Sequence, residues 1–119
     1  MNRAPLVVLV TGGRDYSDWF RVRDELHEIA LIHGIRRIVH GNACGADNLA
    51  MNWADWRKIP QGKYPADWKQ YGNGAGPIRN QLMLDSEPID LVVAFPGGRG
   101  TADMVRRARA AGITVKEVE

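Results

Sequence analysis

One cysteine, Cys44, stands in a chain of 119 residues. That excludes an internal disulfide and a cysteine-built metal cluster. No His or acidic residues supply metal-ligand spacing, so neither a metal nor a cofactor is expected. Long apolar runs are missing too: none approaches the ~18–20 residues of a membrane span. Charge of one sign is not in excess. With 16 basic and 14 acidic residues the net charge is +2, too even to argue by itself for nucleic acid or a membrane surface as partner. Repeats and low-complexity segments are absent. Met1 to Ala4 lead straight into an apolar segment with no leader pattern, so a cytoplasmic protein is expected. What remains is 45% hydrophobic and 25% charged, the mix of a soluble globular protein. A chain this long buries roughly two thirds of its unfolded surface, and one domain over residues 1–119 is the expectation.

Hydrophobic patterning sets the order of elements. Pro5 to Val10 is aliphatic and β-branched, a central strand buried on both faces. Ser17 or Asp18 caps the following helix, whose Val22, Leu26, Ile29 and Ala30 form one face and whose end is marked by Gly34. Ile35 to His40 is a second strand. The next helix carries Ala46, Leu49, Ala50 and Trp53 on one side and stops before Pro60. Gln61 to Pro65 reads as a short third strand. Residues 66–76 read as a long irregular loop, a common form of lid or binding loop. Pro77 suits the first turn of a helix that runs to about Asp85 with Ile78 and Leu82 inward. A strand over Ile89 to Phe95, a helix after Thr101 bearing Val105 and Ala108, and an edge strand over Ile113 to Val118 complete the chain. Trp53 and Trp56 read as packing residues on their helix.

Alternation of this kind predicts an α/β fold: a five-stranded parallel sheet covered by helices, with order 3-2-1-4-5. Ligands bind such sheets beyond the C-terminal strand ends, where the winding reverses. That point lies between Val10 and Phe95. The glycine turn Thr11-Gly12-Gly13-Arg14 therefore faces Pro96-Gly97-Gly98-Arg99-Gly100-Thr101 across one cleft. A third turn, with Gly41, Asn42 and Gly45, lies beside them. Three glycines and a threonine at a helix start present free amides and a partial positive charge, which suits phosphate. Arg14 is either a bidentate phosphate partner or a surface residue of a turn. Asp47 sits at a helix start, placed to bind a ribose hydroxyl, to act in catalysis or to pair with the helix dipole. Asp103 is a general acid or base, or another dipole partner. Arg79 and Asn80 follow Pro77 near the cleft. Asp67 and Trp68 lie in the loop that would close over it, where Trp68 suits stacking on a base. His40 reads as structural, and Arg106, Arg107 and Arg109 as a solvated basic face.

Four stretches together resemble a known group. They are Thr11-Gly12-Gly13-Arg14-Asp15-Tyr16, His40 to Asp47, Tyr64 to Trp68 with Gly76 to Asn80, and Phe95 to Asp103. In this order they are similar to the YspA-type branch of the SLOG superfamily. These are Rossmann-like domains related to the Lonely Guy phosphoribohydrolases and to the nucleic-acid-binding domain of DprA. The resemblance implies a small nucleotide-derived ligand and, by analogy with related proteins, a homodimer. It also implies phosphoribohydrolase-like chemistry, in which Pro96, Gly97, Gly98, Gly100 and Thr101 match the phosphate motif and Arg79 matches the catalytic arginine. The glutamate of that motif is Met104 here, with Asp103 one residue away. A non-catalytic nucleotide sensor and a nucleic-acid-binding module are the alternative readings.

Overall fold

The computed structural model describes residues 4–119; the leader expectation for Met1 to Ala4 falls largely on residues outside that span. Its core is β1 (Leu6–Thr11), a run of aliphatic residues with four consecutive buried positions. Side chains alternate across a strand. Val8 and Val10 therefore pack on one side of the sheet with Val22, Leu26, Ile29 and Trp53. Val7 and Leu9 pack on the other with Met83, Val92, Met104 and Ala108. Only a strand covered on both faces tolerates such a run, and β1 occupies that position at the centre of the sheet.

Around it lie β2 (Ile35–His40), β3 (Gln61–Lys63), β4 (Leu91–Ala94) and β5 (Thr114–Glu117). The sheet order is β3-β2-β1-β4-β5 and every pairing is parallel, as the sequence predicts. Val10 pairs with Val93 and Thr11 with Ala94, so β1 and β4 end level with each other. The chain beyond both ends turns into helix on the same rim of the sheet.

α1 (Trp19–Ile32) and α2 (Ala46–Arg57) supply the first core layer. Asp18 is the residue that caps α1, accepting from the Arg21 amide at 3.0 Å. Gly34 follows its end with φ +79°. α4 (Ala75–Ser86) and α5 (Arg99–Ala110) cover the opposite face. β5 is an edge strand, as expected, and β3 forms the other edge.

Three expectations need correction. Residues 66–76 are not an irregular loop: they hold α3 (Trp68–Tyr71), a 3-10 turn over Gly72–Gly74 and the start of α4. The glycines that suggest a loop serve as the link between two helical turns. Ile78 and Leu82 do not point inward; they are 45% and 51% exposed. The buried positions of α4 are Ala75, Gly76, Asn80 and Met83. Asn80 turns toward α5 because it has partners there, and that rotation puts the Ile78–Leu82 pair outside. Trp53 is fully buried, whereas Trp56 is exposed and lies against His27 and Trp19 on the surface. No helix among the described residues is long and apolar enough to cross a membrane.

Candidate functional site

The turns that leave β1, β2 and β4 are locked to one another. The Gly13 amide donates to the Pro96 carbonyl at 2.8 Å, and the Ala46 amide donates to the Gly13 carbonyl at 3.1 Å. Close approach is what their glycines permit. A Cβ on Gly12 would lie 2.5 Å from that of Ala46, one on Gly13 would lie 2.9 Å from the Pro96 oxygen, and one on Gly97 would lie 2.6 Å from the Gly13 amide nitrogen. These contacts leave no room for a side chain. Gly98 and Gly100 differ: a Cβ at either would meet nothing within 4 Å. They border open space.

That space is a cavity of about 450 Å³. Thr11, Gly12, Gly13 and Arg14 line it from the first turn, and Gly98, Arg99, Gly100 and Thr101 from the start of α5. Gly98 caps α5 without any side-chain hydrogen bond, and no acidic residue occupies the first turn. The first intrahelical bond of this terminus is from the Ala102 amide to the Gly98 carbonyl. The amides before it have no intrahelical partner and carry the positive end of the helix dipole.

The remaining polar groups converge on the same cavity. Asp47, in the first turn of α2, is buried. Its Oδ2 accepts from the amides of Gly41 at 3.1 Å and Ala43 at 3.3 Å. Burial pushes its carboxyl above the ordinary carboxylate value, against the opposing pull of those amides, His40 and Arg79. Arg79 reaches back from α4 to donate to the carbonyls of Gly41 (2.7 Å) and Tyr64 (3.3 Å), and through Nε to Asn80 Oδ1 at 3.1 Å. Burial lowers its guanidinium from the usual value, Asp47 opposes that shift, and Arg14 adds to it. A side chain on Gly41 would strike the Arg79 guanidinium and Asp47, so that glycine makes room for the pair.

Asp103 is held quite differently. Its Oδ1 accepts from Arg106 at 2.6 Å, and its Oδ2 from Arg107 at 2.8 Å and Asn80 at 3.0 Å. Burial alone would raise its carboxyl; the hydrogen bonds from Asn80 and Arg107 and the neighbouring arginine charges outweigh burial and hold it below the usual range. It is an anchored carboxylate, already occupied by three donors. Asn80 also donates to the Gly100 carbonyl at 3.2 Å, tying α4 to the first turn of α5. Met104, at the position of the motif glutamate, is fully buried in the core.

Of the residues singled out in the sequence, Thr11, Gly12, Gly13, Arg14, Asp47, Arg79, Asn80, Gly98, Arg99, Gly100, Thr101 and Asp103 line one cavity. Six stand behind it. Gly41 carries the Arg79 contact, and Gly45, with φ +73°, packs on the first turn. Asn42 is exposed with φ +54°. Pro96 and Gly97 serve the contact between turns. Asp67 caps α3 by accepting from the Gln70 amide at 3.1 Å. Trp68 lines the cavity, with the Arg14 guanidinium 4.9 Å from its ring centroid. Ala43, Asn73, Gly76 and Pro77 also line it; Asn73 and Gly76 belong to the stretch that reads as a lid or binding loop, and Ala43 and Pro77 carry no polar side chain that would mark them in the sequence. His40 is buried, its Nδ1 accepting from the Asn42 amide at 3.0 Å and its Nε2 lying 2.9 Å from Gln61 Oε1. Both ring nitrogens are thereby engaged, which is a structural role.

Comparison with known proteins gives two matches. Gene 61 protein of Mycobacterium phage D29 is 39% identical over 120 residues, spanning 91% of this chain and 92% of the phage protein. No solved structure matches. A family model described as YspA, cpYpsA-related SLOG family matches residues 6–71, from β1 through the two glycine turns and Asp47 to the end of α3. With more than half its length matched by that model, the chain belongs to the YspA, cpYpsA-related SLOG family.

Proposed function

We propose that this protein, acting as one domain over residues 1–119, binds a nucleotide or nucleotide-derived phosphate ligand in the cavity at the C-terminal strand ends. One observation carries the reading: the start of α5, which has no side-chain cap, with Gly98 and Gly100 bordering open space and Arg14 and Arg99 at its sides. The phosphate accepts from the free amides and the Thr101 hydroxyl, and the two arginines balance its charge. Thr11, Gly12 and Gly13 close the site from the first turn. Gly41, Asn42, Gly45, Pro96, Gly97 and Asp67 shape the loops behind it.

The sugar of such a ligand then lies over Asp47 and Arg79, and the chemistry these support is hydrolysis of an N-glycosidic bond. Water adds to the anomeric carbon and gives its proton to Asp47. The carbon–nitrogen bond breaks toward the base, which leaves with the electron pair and takes a proton from solvent. Arg79 stabilises the developing negative charge. Asp47 suits proton acceptance better than Asp103, whose oxygens already hold three donors. That same occupied Asp103, with Met104 buried in place of a glutamate, favours a second reading: a non-catalytic sensor with the same pocket. A nucleic-acid-binding role fits poorly with a net charge of +2.

Incubation with AMP, CMP and modified nucleoside monophosphates separates these readings. Released base, lost in Arg79→Ala, supports hydrolysis. Calorimetric binding without turnover supports the sensor, and salt-sensitive retention on oligonucleotides supports nucleic acid. Action in the cytoplasm as a homodimer completes the proposal. Its interface is the outer face of α4, where Tyr71, Ile78 and Leu82 form an apolar groove edged by both Asp85 and Arg107. A two-fold contact needs such a self-complementary patch.

A further inference from the structure

The cavity wall built by residues 68–77 is chemically unlike the rest. Trp68, Gly76 and Pro77 give it aromatic and apolar surface, and Asn73 adds an amide side chain. Core packing does not account for Trp68. It belongs to neither buried cluster and is 47% exposed. Asp67 caps the helix that starts with it, and the indole lies beside Gly76, where a Cβ would meet it at 3.6 Å. The Arg14 guanidinium lies over the ring at 4.9 Å. A half-open indole beside a planar cation is a surface for another flat π system.

We infer that Trp68 and Arg14 form the stacking platform for a nucleobase, with Asn73 hydrogen-bonding to the base edge. The inference rests on the reading of the α5 start as the phosphate end. It adds a requirement which that reading lacks: the ligand carries an intact base, so the site takes a nucleotide and not merely a sugar phosphate. Stacking is tolerant, because every base has a π face. Choice among bases falls to Asn73, whose amide offers one acceptor and two donors.

The test is calorimetric titration with AMP, CMP and ribose 5-phosphate of the wild type, Trp68→Ala, Trp68→Phe and Asn73→Ala. The wild type binds AMP about tenfold or more tightly than ribose 5-phosphate, the scale of one base–aromatic stack. Trp68→Ala loses about that factor for AMP while ribose 5-phosphate is unmoved. Trp68→Phe keeps most of the preference, and Asn73→Ala changes the ratio of AMP to CMP affinity. Equal affinity of the wild type for AMP and ribose 5-phosphate overturns the stacking inference and leaves the phosphate site standing. So does an equal loss of both ligands in Trp68→Ala with an unchanged thermal melt. Failure of the wild type to bind either ligand overturns the phosphate site and this inference with it. The wild-type comparison needs no variant, so a poorly folded Trp68→Ala does not shield the inference.

Discussion

Two aspartates at one cavity have opposite electrostatic settings. Asp47 is buried and its carboxyl is raised; Asp103 is tied to two arginines and an asparagine and its carboxyl is lowered. A carboxylate raised on folding is strained in its charged form at neutral pH. Folding stability therefore rises as pH falls through its folded value. Asp47→Asn is expected to melt at the same or a higher temperature than wild type near neutral pH, while losing ligand affinity or turnover, the trade-off typical of functional carboxylates. A circular-dichroism melt and a binding titration check the two halves. Glu87, lowered chiefly by its hydrogen bond from Arg37 and also held by Tyr64, behaves like Asp103. Stability from both is present above the unfolded carboxylate range and is lost as pH falls through their folded values. Asp103→Ala should cost about 1–3 kcal/mol at neutral pH, and the deficit should shrink in acid, as urea titrations at several pH values would read. The sequence marks both aspartates as candidates. It does not separate them: Arg106 and Arg107 lie one helical turn from Asp103, but Asn80, which also holds Asp103, and Arg79, which lies beside Asp47, both come from α4.

At the scale of elements, the strand-glycine-helix turns are legible because each is local in sequence. Which glycine packs and which opens onto the cavity is not, since Gly97 meets Gly13 only after β1 and β4 have paired. The distinction gives a paired expectation. Gly97→Ala forces a Cβ against the first turn and should destabilise the fold by about 1–3 kcal/mol. Gly100→Ala lies in a helix, meets nothing within 4 Å, and should stabilise it by about 0.5–1 kcal/mol while weakening phosphate binding. Denaturant unfolding and a phosphate titration of the two variants decide it. α4 shows the converse limit. An apolar pair four residues apart reads as a core face, but Asn80 has buried partners on α5 and Met83 joins the core, so Ile78 and Leu82 end outside. The 66–76 stretch hides a four-residue helix and its Asp67 cap for a different reason: its glycines, which favour turns, outweigh so short a helical signal.

For the whole molecule, the alternation of strands and helices is enough to give the sheet order and the meeting of three turns at its centre. What alternation does not give is the outer surface, because solvent and a second chain leave the same apolar residues uncovered by this one. If α4 is an interface, Ile78→Glu with Leu82→Glu converts a two-chain particle to one chain in light scattering with the melt unchanged; a wild type of one chain removes the dimer. The central claim is that amides from turns distant in sequence grip one anion together. Amide-resolved NMR titration with AMP reads this directly. The account predicts that the largest shifts fall on Gly98 to Thr101 and on Gly12 to Arg14, saturating together at one affinity. Saturable shifts confined to other parts of the chain, with those amides unmoved, would contradict it.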